Sequence, residues 1–558
     1  MTSAFQPPAD PLVVEGAVDE QPLGSSRRDL WIEIGIAVAI FIAFCVIVLA
    51  KATSMMEPDD YAYRGAIASL AQGHLELTTA QYKALSAQLG GIQQWTQLPN
   101  GRWMSEKNPG YPFYAVWFWW AHALRFAPLF AGGLASVSLF VAARKWLGKW
   151  AGAISVAFFL GSGLALAFAY RATMPTFTDA AFLAAGAGAI LWALLSPEVT
   201  WRRRTSIGLL GFVAMEWAVF MRYTDLVVLG VAIVAVFCAW RPARLKGSTL
   251  WWWLGSVGVF GAMVLIFDWA VYGSPTKTGY ANGEITFSIH SIIPNLKHMP
   301  ELLFRSVPAM VVAAAAVIWM AVRLVRSRLS SSMKNDAKDR ARRDGLIGGF
   351  LALGWLGLWG LYSAYTWTVQ IGGGPNGGTR PNGGFPPGGF GTTTTLPSAA
   401  TKAAATLHQA VLTATSNAPG GFPGGGIGGG GGSIHLVRFY VPAIGLIALL
   451  ATWFVMQLPR WLAPVLPAIA LVAAVGSFHT LTAEGGMGGF PGGRGNQSVP
   501  SGGANTPGRG IPPANGSGPD GLRNGTMPDG LPPGDGRGSF GPPGLRNGTM
   551  PDGRPPGQ

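Results

Sequence analysis

The chain has 558 residues, of which 49% are hydrophobic and only 12% charged, with 22 tryptophans and a mean hydropathy of +0.32. This balance excludes a set of soluble domains and describes a polytopic membrane protein. The net charge of +14 does not call for nucleic acid as a partner, because the basic residues stand in short clusters between apolar runs, as in cytoplasmic loops.

Arg27 and Arg28 precede a first apolar run, Leu30 to Ala50, that is long enough to cross a bilayer. It reads as an uncleaved signal anchor after a cytoplasmic tail, residues 1–28. Cys45 and Cys238 fall inside apolar runs without partners at metal-ligand spacing, so neither a disulfide framework nor a zinc site is indicated. Where the first run ends, the chain reads Glu57-Pro58-Asp59-Asp60-Tyr61-Ala62-Tyr63. A carboxylate pair at a membrane exit is costly to hide and well placed for proton transfer. The plainer alternative is that Asp60 caps the helix expected from Tyr61 to Gln72.

A second helical pattern near Ala80 to Leu89 leads to Ser105-Glu106-Lys107-Asn108-Pro109-Gly110-Tyr111-Pro112 and an aromatic stretch from Tyr111 to Leu124. Lys107 there can meet a lipid phosphate as a point charge or simply snorkel. Apolar stretches long enough to span are centred near residues 40, 136, 160, 188, 213, 232, 260, 314, 355, 446 and 470, which predicts about 11 transmembrane helices. If the stretch from Tyr111 to Leu124 lies in the interface, every basic cluster falls on one side: Arg27/Arg28, Arg144/Lys145/Lys149, Arg202 to Arg204, Arg241/Arg244/Lys246, Arg323 to Arg343 and Arg460.

That parity puts the N-terminus in the cytoplasm and an outer loop, 51–127, outside the plasma membrane with interfacial helices. It also places Arg171 and Asp179 at a second outer turn, Arg222 and Asp225 at a third, Tyr272 to Tyr280 after the seventh span, and Arg438 at the outer start of the tenth. Arg222 pairing with Asp225 within the turn is the bland reading of that segment. Glu216 lies inside the fifth span, about 9 Å along the axis from Arg222, and needs a polar partner from another helix. Residues 372–432 and 481–558 are Gly/Pro-rich, and Gly-Leu-Arg-Asn-Gly-Thr-Met-Pro-Asp-Gly occurs twice, at 521 and 544. Such compositions bury too little apolar surface to order themselves, so an insertion and an extracytoplasmic disordered tail are expected.

The order of these features over residues 29–480 resembles the GT-C membrane glycosyltransferases, in particular relatives of protein O-mannosyltransferases and bacterial aminoarabinose transferases. The matching pieces are Asp59-Asp60 with Tyr63, Glu106-Lys107-Asn108-Pro109 before an aromatic helix, the Arg171 to Asp179 turn, Tyr272-Gly273-Ser274-Pro275 with Gly279-Tyr280, and Arg438-Phe439-Tyr440-Val441-Pro442. The resemblance implies an all-α, GT-C-like fold and an outward-facing, inverting transfer of a sugar from a polyprenyl-phosphate donor to an acceptor hydroxyl of a protein, glycan or lipid. By the same analogy Asp59 is the base, with Asp60 and Asp179 as further acids. Lys107, Arg171, Arg222 and Arg438 would hold the donor phosphate, and Glu106 and Tyr280 would line the substrate site.

The insertion at 372–432 and the lack of a soluble acceptor-binding domain depart from that pattern. Glu106 and the carboxylate pair could take a divalent cation, although no His or Asp spacing asks for one. A transporter or lipid flippase, or an envelope scaffold acting through its Gly/Pro tail, are the competing function classes.

Overall fold

The computed structural model describes residues 27–50, 58–279, 287–329, 335–366, 437–459 and 461–484. Glu57, Tyr280, Arg460, the 372–432 insertion and the tail beyond residue 484 lie outside the described residues. The architecture is all-α apart from one short hairpin. Helix α1 (Arg27–Ala50) is followed by a head made of α2 (Pro58–Ala71), α3 (Thr79–Leu89), strands β1 (Trp95–Gln97) and β2 (Trp103–Ser105), and α4 (Gly110–Trp120). The bundle continues with α5 (Ala127–Leu147), α6 (Ala151–Leu160), α7 (Gly163–Ala169), α8 (Thr176–Leu195), α9 (Trp201–Met221), α10 (Leu226–Ala239) and α11 (Gly247–Tyr272). It ends with α12 (Ile289–Ser306), α13 (Ala309–Leu329), α14 (Asn335–Ser363), α15 (Ile444–Val455) and α16 (Val465–Glu484).

Among the described residues eight helices are long and apolar enough to cross a membrane, or nine if the bent pair α6 and α7 forms one span. The chain is therefore a multi-pass membrane protein, and among the described residues length and composition do not confirm the count of about 11 transmembrane helices. Every predicted centre does fall on an apolar helix, but three miss the mark for physical reasons. The run near 160 bends by 60° between α6 and α7, where Ser162 caps the second piece by accepting from the Ala165 N–H. The runs near 232 and 470 form shorter apolar helices, Tyr223–Ala239 and Val465–Gly476. Helix α4, with 11 residues, reaches about 16 Å and cannot cross a core about 30 Å thick. Its Tyr114 hydroxyl donates to the Ala127 carbonyl at 2.7 Å and its Trp120 indole to the Ala71 carbonyl at 3.1 Å, so it is tied to α5 and α2.

The centre of the bundle is α5, α8, α9 and α15, whose backbones approach through small side chains. A methyl at Gly188 would stand 2.7 Å from Ser138 Oγ, and one at Gly445 would stand 2.4 Å from Ala184 Cβ. Lipid tails give helices no hydrophobic reason to associate, so such close van der Waals contact supplies the attraction instead. Gly110 makes the same approach where α4 meets the end of α9: a Cβ there would lie 2.5 Å from the Phe220 carbonyl carbon and 2.6 Å from the Met221 nitrogen.

Polar contacts collect at the two ends of the bundle. At one end Lys149 meets Asp29 at 2.8 Å, Lys145 meets Glu198 at 2.6 Å, and Arg323 donates to Gln457 at 2.9 Å. There Asp344 also accepts from the indoles of Trp146 and Trp453, both at 3.1 Å. Buried Glu33 takes the Gly152 N–H at 3.0 Å and pairs with Arg144. Among the described residues, Arg144, Lys145, Lys149 and Arg323 of the predicted basic clusters thus share one end, while Asp59, Lys107, Arg171, Asp179, Arg222 and Arg438 share contacts at the other.

Gly110→Ala should lower stability by about 1–3 kcal/mol, because the new methyl meets backbone that cannot rotate away. A thermal midpoint equal to wild type in detergent would show that α4 and α9 do not meet in this way.

Candidate active site

Helix α2 starts at Pro58, a residue suited to a first helical position because its missing N–H would have no partner there. Asp59 and Asp60 follow in the first turn, where the helix dipole favours carboxylates. Neighbouring positions on a helix point about 100° apart, and the two acids accordingly meet different partners.

Asp59 stands between two cations. Lys107 Nζ lies 3.0 Å from Oδ1 and Arg438 Nη1 lies 3.1 Å from Oδ2, and the Asp59 side chain keeps 15% exposure. Asp60 is fully buried. It pairs with Arg171 and accepts from the Thr173 hydroxyl at 2.8 Å. Asp60 therefore does not act as a free cap: it sits inside the first turn and its oxygens join α2 to the segment between α7 and α8.

Each cation is placed by local structure. The hairpin pairs Trp95 with Ser105, and beyond it the Glu106 N–H donates to the Gln94 carbonyl at 3.0 Å and the Lys107 N–H to Ser105 Oγ at 3.2 Å. This brings Lys107 back over the start of α2. Arg438 opens a short 3-10 turn, Arg438–Ala443, that runs into α15. Its guanidinium lies 4.7 Å from the centroid of the Phe439 ring, and the Arg222 guanidinium lies 5.9 Å from the same ring.

Arg222 faces Asp179, with Nε 3.6 Å from Oδ2, and donates to Thr176 Oγ1 at 3.4 Å. Asp179 belongs to the first turn of α8 and is fully buried. The Tyr111 hydroxyl donates to the Ala172 carbonyl, fixing α4 against the Arg171 segment. Burial holds the Tyr111 phenol above its usual range, helped by the neighbouring Tyr114, so it stays a neutral donor.

Asp59 with Lys107 and Arg438, and Asp60 with Arg171 and Thr173, thus form two adjacent polar clusters on the first turn of α2, and Phe439 links the first to Arg222 and Asp179. Arg171 was expected at a phosphate; its guanidinium is fully enclosed and pairs with Asp60. Glu106 is half-buried beside Lys107. A Cβ on Gly279 would lie 2.7 Å from the Glu106 carbonyl oxygen, so the segment after α11 arrives at this point. Tyr280, next in the chain, is outside the described residues. Among the described residues no three His, Cys, Asp or Glu side chains gather as a metal site, and both Asp59 oxygens face cations.

Sequence reasoning quoted Thr173 and Phe439 inside motifs without giving them roles, and it gave none to Asp268 or Tyr362. Glu216 finds the partner it needed in Ser256 of α11, whose hydroxyl donates to it at 2.9 Å.

No family model matches the chain and no curated protein matches it in sequence. Among solved structures it is similar to the oligosaccharyltransferase of Archaeoglobus fulgidus in its apo form, with TM-score 0.40 and 10% identity over 80% of this chain. The same archaeal enzyme, AglB, in complex with an inhibitory peptide and a dolichol-phosphate gives TM-score 0.41 and 10% identity over 83% of this chain. The present chain covers 56% of each of those archaeal chains. ArnT from Cupriavidus metallidurans in the apo state gives TM-score 0.37 and 13% identity, covering 82% of this chain and 78% of that one. These likenesses are distant and assign no residue of this chain.

The two acids should separate in a stability measurement. Asp60→Asn leaves the enclosed Arg171 charge uncompensated and is expected to cost about 3–5 kcal/mol. Asp59→Asn leaves Lys107 and Arg438 without their shared acid, but at a position that keeps 15% exposure and so stays within reach of water, and it should cost less than Asp60→Asn. Equal losses of thermal midpoint would contradict this division.

Proposed function

We propose that the chain is a membrane glycosyltransferase that moves a sugar from a polyprenyl-phosphate donor to an acceptor hydroxyl, with inversion, at the extracytoplasmic face. The observation that carries this reading is Asp59 held between Lys107 and Arg438, with Arg438 and Arg222 meeting on one Phe439 ring. A carboxylate able to take a proton and cations able to take a phosphate are thereby gathered at one end of a membrane bundle, and the order of motifs that resembles GT-C enzymes points the same way.

The reaction follows from exchanging partners. Without donor, Lys107 and Arg438 neutralise Asp59. A donor phosphate entering beside Phe439 competes for both cations and for Arg222, because a tetrahedral oxyanion accepts from several donors at once. Asp59, released from its cations, becomes the better hydrogen-bond acceptor for an incoming hydroxyl. The acceptor oxygen attacks the anomeric carbon as its proton passes to Asp59, and the bond from that carbon to the phosphate oxygen breaks. The electron pair leaves with polyprenyl phosphate, whose growing charge is met by Lys107, Arg438 and Arg222. Attack from the side opposite the leaving phosphate inverts the anomeric configuration.

Asp60, through Arg171 and Thr173, keeps the first turn of α2 in place. Asp179 holds Arg222, and Glu106, beside Lys107, is assigned to substrate binding, as is Tyr280, which lies outside the described residues. The lipid tail occupies the bundle's surroundings while the sugar meets a water-soluble acceptor at the membrane surface. Orientation rests on the gathering of basic clusters at the other end.

Two measurements test the reading. Asp59→Asn should lower sugar transfer from a polyprenyl-phosphate sugar to an envelope fraction by about 10²–10⁴-fold; full activity would remove Asp59 as the base. In a cysteine-free background, Lys277→Cys should react with an impermeant thiol reagent applied to intact cells and Lys338→Cys should not, and the opposite pattern would reverse the topology.

A further inference from the structure

The four residues that join α9 to α10 are each tied to another part of the bundle. Arg222 faces Asp179 of α8 and lies over Phe439. The Tyr223 hydroxyl donates to Asp268 Oδ1 of α11 at 3.1 Å. The hydroxyls of Thr224 and of Tyr362, on α14, are hydrogen-bonded to each other. Asp225 is fully buried with its carboxyl beside that of Asp179, and its N–H closes the turn on the Arg222 carbonyl at 2.9 Å.

A short connection between two apolar helices needs none of this, since every polar side chain brought into a membrane bundle has to be matched. Here the matched groups surround one side chain. Asp179, Asp225 and the Tyr362 phenol all stand close enough to Arg222 to act on its charge. Its Nη1 is enclosed with no hydrogen-bond partner among the described residues. The guanidinium is therefore held at Nε, at Nη2 and across its face while Nη1 stays uncommitted.

We infer that the Arg222–Asp225 turn presents Arg222 to the donor phosphate, with Asp225 and Tyr362 as positioning residues; the inference rests on the polyprenyl-phosphate reading of the site. An arginine has many rotamers, and ordering it at each binding event weakens binding. Fixing it beforehand removes that cost. Asp225, whose carboxyl adjoins that of Asp179, backs the acid that faces Arg222, and Tyr362, through Thr224, anchors the turn to α14, which neither Asp179 nor Phe439 does.

The probe is undecaprenyl phosphate titrated into the full-length protein in detergent, with binding read from tryptophan fluorescence and folding from the thermal midpoint. Arg222→Ala should weaken binding at least about tenfold, and Asp225→Asn by about three- to tenfold, as expected for loss of contacts to a charged group. Asp225→Glu should recover most of the affinity, and Tyr362→Phe should weaken binding in the same direction.

If wild type does not bind the probe, or Arg222→Ala binds as wild type does, the phosphate reading fails and takes the inference with it. If Arg222→Ala is weakened while Asp225→Asn stays within about twofold of wild type, the positioning role is wrong and the phosphate reading stands. A lowered midpoint in Asp225→Asn with unchanged affinity marks a structural role only and also overturns the inference. Should that variant fail to fold, Tyr362→Phe decides the question alone, and unchanged affinity there overturns the inference.

Discussion

The bridge of Asp59 between Lys107 and Arg438 is the contact on which the arrangement at this end of the bundle depends. It joins the head that follows α1 to the entry of α15, segments far apart in sequence, and it does so with charges that are costly to enclose singly. Because the three side chains keep little exposure, each needs the others. The head cannot drift from α15 without leaving an unpaired charge, and α15 lies in the centre of the bundle beside α8. This contact, with the Asp60–Arg171 pair beside it and the Tyr111 and Tyr114 hydroxyls on the Ala172 and Ala127 carbonyls, fixes the position of a small polar head on an apolar bundle.

Below this layer the bundle is held by proximity rather than charge. Glycines at 188 and 445 let helices approach to distances that any side chain would prevent, and this close packing carries the polar residues at the Asp59 end. Arg222 ends α9, Asp179 begins α8, and Arg438 precedes α15, so helix packing sets the spacing of the polar groups. Gly110 does the same for α4, which carries Tyr111 to the Ala172 carbonyl. A shift of α4 would move Lys107, three residues before its start, away from Asp59. The transporter alternative asks for broken helices bearing polar groups at mid-membrane, but α7, after the bend, consists of buried Gly163, Leu164, Ala165, Leu166, Ala167, Phe168 and Ala169.

Much of this was legible in the sequence because the membrane imposes simple rules. Apolar length located the helices, and the grouping of basic residues gave a parity that α4 satisfies only by not crossing. Lys107, Arg438 and Asp59 could be named because they stand on the side opposite the basic clusters and inside the motifs that carry the resemblance. Three kinds of feature escaped. The bend at Ser162 leaves no polar mark except one serine in an apolar run. Helix α12 is broken in pattern by Pro294 and Pro300, and its Asn295, which donates to the Ser363 and Tyr365 carbonyls, looks like any loop residue. The partition of Asp59 from Asp60 was also hidden, because adjacency in sequence says nothing about which neighbour each side chain meets.

That partition explains why two acids stand together. A base must be able to lose its cations to a substrate and gain a proton, which requires access and partners that can exchange. A carboxylate that holds the first helical turn must do neither. Asp60, closed around Arg171 and Thr173, meets the second requirement, and in the proposed reaction, where a donor takes Lys107 and Arg438 from Asp59, it would keep the turn anchored. A single acid could not be both exchangeable and fixed, so the pair separates anchoring from chemistry by one residue, or about 100° of helix.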